Sequence, residues 1–254
     1  MRINKYIATQ GLATRRGADA LIAAGKVHIN GRIAVLGDKV NPTDKVEVNT
    51  KAVKESRQQL LYYVYNKPVG IVTHSAQKGE KDILDSIEQT NLAKEEVVSS
   101  RSIPAKPTRS GILSCSPIGR LDKDSHGLIL LTNDGRVTDR LLSPEHDHEK
   151  EYEIKVTKPL KQSMLTWLAR GVKLEDGYIT KPAEVWAESD YIFHIVITEG
   201  KRHQIRRMVT AVGNEVADLK RVRIMNMEIG DLQAGANRQI QGKELLEFLA
   251  SIGL

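Results

Sequence analysis

Gly119-Arg120-Leu121-Asp122 stands just ahead of an apolar run, Gly127 to Thr132, that closes in the turn Asn133-Asp134-Gly135. A short apolar run between turn residues reads as a strand buried on both faces. An acid at the entrance of such a strand can be a nucleophile in a partly dry site; standing alone it reads more readily as a cap or turn residue. Further on, Glu199-Gly200-Lys201-Arg202-His203-Gln204-Ile205-Arg206-Arg207-Met208 places a cluster of cations at the start of a helical pattern. Together the two segments point to an enzyme built around Asp122.

The flanking patterns are those of an α+β protein. Strands are expected at Leu60 to Tyr65, Val69 to Thr73, Leu128 to Thr132, Tyr152 to Val156, Tyr191 to Thr198, Glu215 to Leu219 and Val222 to Met227. Helical spacing joins Leu160, Met164, Leu165 and Leu168 up to Gly171. It recurs over His203 to Val212 and over Lys243 to Ile252. Many strands with few βαβ repeats favour a mainly antiparallel sheet with flanking helices.

The first 48 residues read as a separate small module. Ile3, Ile7 and Leu12 stripe one helix; Thr14 is a candidate cap for a second, carrying Ala18, Leu21 and Ile22 and stopped by Gly25. Val27-His28-Ile29 runs into Asn30-Gly31, a hairpin signal, with further strand fragments at Ile33-Ala34-Val35 and Val46-Glu47-Val48. Residues 49–59 read as a linker and 60–254 as the larger domain. Residues 88–113, rich in Ser, Lys, Glu and Pro, read as an insertion with weak periodicity.

Charge separates the two parts. Of the 38 Lys/Arg and 32 Asp/Glu, residues 1–58 hold 11 and 5, leaving 27 of each in the remainder. The whole excess of +6 therefore lies in the first module, as expected of a surface that meets a polyanion. Arg15 and Arg16 at the start of the second helix, with Arg2, Lys5 and Lys26, make a phosphate-binding face. The single cysteine, Cys115, and the absence of an apolar leader lead to the expectation of a cytoplasmic protein. His146-Asp147-His148 and Asp122-Lys123-Asp124 lack further ligands at metal spacing, so no metal or other cofactor is expected. Trp167 and Trp186 are expected in the core.

The two helices followed by Gly25-Lys26-Val27-His28-Ile29-Asn30-Gly31-Arg32 resemble an S4 RNA-binding module. Residues 60–254 resemble an rRNA pseudouridine synthase of the S4-bearing class. The match runs through Asn66-Lys67-Pro68-Val69-Gly70, the Gly119 to Gly135 segment, Glu149-Lys150-Glu151-Tyr152 and the Gly200 to Met208 segment. Lys123-Asp124-Ser125 and His148 to Tyr152 look most like the branch acting on large-subunit rRNA.

The resemblance implies a uridine isomerase in which Asp122 is the nucleophile, Arg206 pairs with it, and Tyr152 stacks on the displaced base. Arg120 is expected to fill the gap left by a flipped base, and Arg202 and Arg207 to touch phosphate. Lys67 and Pro68 would shape the pocket floor. Breaking the C1′–N1 bond and forming C1′–C5 changes no oxidation state, so the chemistry calls for no redox cofactor; attack at C6 and at C1′ both remain open. Ribosomal RNA or an assembling subunit is the expected partner of a monomeric enzyme. The alternatives are a non-catalytic ribosome-assembly factor, the same chemistry on small-subunit rRNA or tRNA, and a metal-dependent nuclease using Asp122 and Asp124.

Overall fold

The computed structural model describes residues 1–13, 15–49, 59–96, 111–143 and 147–254; of Arg16 and residues 91–96 it describes the backbone alone. Thr14, most of the expected linker, residues 97–110 and His146 lie outside the described residues.

In the first module, helices α1 (Ile3–Thr9) and α2 (Arg15–Ala23) cover a small antiparallel sheet of β1 (Val27–Ile29), β2 (Arg32–Ile33) and β3 (Val46–Val48), in the order β2-β1-β3. Ile3, Ile7, Ala18, Leu21, Ile22, Val27 and Ile29 form its core. The α2 terminus closes as its Gly suggests: the Gly25 and Lys26 N–H groups donate to the Ile22 and Leu21 carbonyls, both at 2.9 Å. The second expected strand is shorter than its apolar residues suggest, since Ile33 and Val35 are exposed.

The larger part is a nine-stranded sheet. Its main path runs β12 (Asn237–Gln239), β4 (Tyr62–Lys67), β6 (His126–Thr132), β10 (Val216–Ile224), β7 (Lys150–Val156), β9 (Ile192–Ile197) and β8 (Glu184–Ala187), with β5 (Ser116–Ile118) on β6 and β11 (Met227–Glu228) on β10. All pairings are antiparallel except β6 with β10. The helices are α3 (Ile83–Glu96), α4 (Gly135–Leu141), α5 (Gln162–Arg170), α6 (Gln204–Ala211) and α7 (Gly242–Ser251). Helix α1 of the first module contacts α4.

The central strand β6 is buried as its composition demands, with Leu128, Ile129, Leu130 and Leu131 at most 2% exposed. Its parallel join to β10 depends on Gly127, opposite Arg221. A Cβ at Gly127 would stand 2.3 Å from the Arg221 carbonyl oxygen, and the residue has φ +104, so only glycine allows the two backbones to meet.

Four local expectations are corrected. Val69 to Thr73 is a turn holding one isolated bridge at Val72, because the Gly70 N–H is drawn to the Lys123 carbonyl at 2.8 Å. The two segments 215–219 and 222–227 belong largely to one bulged strand, β10, whose polar centre Lys220-Arg221 is paired through on both sides. Residues 88–96 continue helix α3, anchored by Ile83 and Ile87, and 111–114 form a 3-10 turn. Trp167 and Trp186 are 57% and 42% exposed rather than core. Met164, Leu165 and Leu168 take the inward face of α5, and Trp186 stacks on His194 with ring centres 5.0 Å apart.

Candidate active site

Asp122 lies in the turn between β5 and β6, and its backbone is held on every side. Five consecutive carbonyls each accept a hydrogen bond from a different residue. Arg221 Nη1 donates to Arg120 at 3.4 Å and Thr73 Oγ1 to Leu121 at 2.8 Å. The Ser125 N–H donates to Asp122 at 3.1 Å, the Gly70 N–H to Lys123 at 2.8 Å, and Arg206 Nη2 to Asp124 at 2.9 Å. Thr73 also accepts the Leu121 N–H at 3.0 Å, and Lys123 is tied to Glu80 at 2.8 Å. A loop so fixed presents the Asp122 carboxylate without having to be ordered when a ligand arrives.

The segments that flank it are braces. Asn66 Nδ2 donates to the Leu232 carbonyl at 2.7 Å. Lys67, fully buried, donates through Nζ to the Pro68 and Ile71 carbonyls at 3.0 and 2.5 Å. Burial pushes the Lys67 ammonium down to about 8, opposed by the charges of Asp122 and Asp124. Thr132 donates to the Leu61 carbonyl and Asn133 accepts the Leu61 N–H. Asp134 caps α4, accepting from the Arg136 N–H at 3.1 Å and the Tyr62 hydroxyl at 2.8 Å.

The Asp122 carboxylate opens into a cleft of about 620 Å³. Leu121, Tyr152, Ile197, Ile205 and Leu219 supply its apolar and aromatic surface; Arg120, Ser125, Lys201, Arg202, His203 and Gln204 supply polar groups. Tyr152, on β7, is 8% exposed and shares a core cluster with Leu121 and Ile205. The far wall is the turn before α6. There Gln204 accepts the Lys201 N–H at 2.9 Å and donates to Glu199, which also takes the Tyr178 hydroxyl at 2.5 Å. Lys201 lies over the Tyr178 ring, 4.7 Å from its centre.

The structure thus brings Asp122, Tyr152, Arg120 and Arg202 to one cleft. Arg206 is beside it but on the backbone: it holds the Asp124 carbonyl, whereas the His203 imidazole reaches the Asp122 carboxylate, Nε2 to Oδ1 at 3.5 Å. The expected Arg206–Asp122 pairing is replaced because the turn aims the Asp124 carbonyl, not the Asp122 side chain, at Arg206. Arg207, expected at phosphate, pairs with Glu175 and Asp176, each at 2.6 Å. Arg15 and Lys26 are exposed on the first module; the Arg16 side chain lies outside the described residues. His203, Thr73 and Arg221 were missed by sequence reading. Only His203 carried a signal, its place among the cations before α6.

Two of the residues suspected of metal binding have other partners. Asp147 pairs with Lys181 at 2.6 Å, and His148 Nε2 meets the Arg140 carbonyl at 3.0 Å. A different trio, Glu153, Glu188 and His194, brings its ligand atoms within 4.8 Å of one another, outside the cleft lining.

Comparison with known proteins assigns the chain to a family. A family described as RNA pseudouridylate synthase matches residues 61–211, and one described as S4 domain matches residues 1–46. The dual-specificity RNA pseudouridine synthase RluF of Escherichia coli (strain K12) is 36% identical over 254 residues, 99% of this chain and 79% of that protein. Ribosomal large subunit pseudouridine synthase B of Bacillus subtilis (strain 168) is 34% identical over 257 residues, 98% of this chain and 96% of that one. A crystal structure of a pseudouridylate synthase superposes with a TM-score of 0.65 at 27% identity, over 99% of both chains. The chain belongs to the RNA pseudouridine synthase family and carries an S4 domain ahead of its catalytic fold.

Proposed function

We propose that the protein converts a specific uridine of large-subunit ribosomal RNA to pseudouridine, with Asp122 as nucleophile. The observation that carries this reading is the placement of the Asp122 carboxylate in the cleft beside Tyr152, on a turn whose carbonyls are all anchored. Such anchoring supplies the fixed geometry that attack at C6 or C1′ requires. Tyr152 lies along the base once the C1′–N1 bond is broken and helps remove the C5 proton after C1′–C5 forms. Arg120, exposed at the cleft edge, takes the vacated place in the RNA stem and lowers the cost of flipping.

The substrate assignment rests on the large-subunit enzyme named among the relatives and on the basic first module. We place it in the cytoplasm, acting as a monomer on ribosomal RNA or an assembling subunit. The domain boundaries follow the same reading: 1–48 bind RNA, 49–59 link, and 60–254 catalyse. Tritium release from C5-tritiated transcripts of large-subunit rRNA, small-subunit rRNA and tRNA tests it. Release confined to the large-subunit transcript is expected. Release from tRNA as well would contradict an action confined to ribosomal RNA, and release from small-subunit rRNA alone would overturn the assignment.

A further inference from the structure

His203 precedes α6 in the left-handed region, φ 50 and ψ 29, and makes no capping bond with its side chain. A non-glycine residue there is strained, and the cap on the free helical N–H groups that would offset the strain is not made by its side chain. The turn is closed by Gln204 and Glu199 instead. What the conformation does achieve is to carry the imidazole to Asp122, with Nε2 3.5 Å from Oδ1. Backbone strain of this kind gathers at functional sites.

We propose that His203 is the positioning residue of the Asp122 carboxylate, holding Oδ1 so that Oδ2 faces the substrate. The proposal rests on Asp122 being the nucleophile. The other charges around the pair are already assigned. Lys67 lies beneath, bonded to two carbonyls; Arg206 on α6 holds the Asp124 carbonyl; Lys201 covers Tyr178; Glu199 is taken by Tyr178 and Gln204. Arg120 and Arg202 line the cleft, Arg120 for the vacated place in the RNA stem and Arg202 for RNA phosphate. Asp124, on the same turn, adds a like charge. Asp122 and His203 are 42% and 46% exposed, so the pair is open to substrate on its free side. A hydrogen on Nε2 would face Oδ1 in either charge state of the imidazole.

The test uses the full-length protein and a C5-tritiated large-subunit rRNA transcript. H203G removes the imidazole and suits the positive φ; H203Q keeps a neutral donor of similar reach. For H203G we expect kcat lower by about ten- to a hundredfold, with the dissociation constant for RNA unchanged. H203Q should recover most of kcat. If H203G proves unfolded, H203A replaces it and should lower kcat in the same way. A wild-type kcat in folded H203G or H203A overturns the proposal, as does weakened RNA binding with unchanged kcat. Should D122N still release tritium at the wild-type rate, the nucleophile assignment itself fails, whatever the His203 variants do.

Discussion

Arg206 meets the turn at the Asp124 carbonyl, its Nη2 2.9 Å from the oxygen and two residues beyond Asp122. The guanidinium therefore fixes the backbone that carries the carboxylate. Arg206→Gln removes that hold. Because small displacements of a reacting group are costly, kcat should fall about a hundredfold with RNA affinity preserved. Single-turnover tritium release and filter binding separate the two. A variant that loses binding and keeps kcat would make Arg206 an RNA contact.

The close approach of Gly127 to Arg221 sets a contrast with Gly70. Gly127→Ala must push apart β6 and β10, and we expect a loss on the order of 4 kcal/mol or failure to fold. Gly70→Ala meets open space and strains only its φ of +85, costing about 1 kcal/mol. Urea denaturation of both variants checks the difference, which would vanish if the strand join could slide.

Burial lowers the Lys150 ammonium to about 8, with Arg221 adding to the effect. Between there and 10.5 the unfolded chain binds the extra proton, so this group makes stability rise with pH over that window. Lys150→Met removes the charge and the slope with it. Relative to wild type, the variant should be favoured near pH 7.5 and lose that advantage by pH 10, a change on the order of 2 kcal/mol. Parallel stability curves would show that the ammonium is not desolvated.

The arginines before and within α6 divide by their partners. Arg202 lines the cleft, so Arg202→Ala should lower the slope of log affinity against log salt by about one unit. Arg207 is committed to Glu175 and Asp176, so Arg207→Ala should leave that slope unchanged. Binding isotherms at several salt concentrations decide it; equal effects would mean that Arg207 leaves its carboxylates when RNA binds.

Much of this fold was legible because burial writes itself into residue type. Leu128 to Leu131 read as a central strand and are one; Leu168 and Met208 lie inward as their spacing implies. Elsewhere tertiary bonds overrode local pattern. Val69 to Thr73 is rich enough in β-branched residues for a strand, yet Gly70 and Thr73 turn away to hold the Asp122 loop. Buried Arg221 looked like a strand break, and it bonds to the Leu128 carbonyl across the join. Asp122 and Tyr152 were visible through their motifs. The contact made by His203 was not, since a left-handed residue other than glycine leaves no mark in composition.

The central claim, that Asp122 is the nucleophile of an rRNA uridine isomerase, is tested most directly by Asp122→Asn. With purified, folded variant and a C5-tritiated large-subunit rRNA transcript, we predict binding like wild type and no enzyme-dependent tritium release. Release at the wild-type rate would contradict the account.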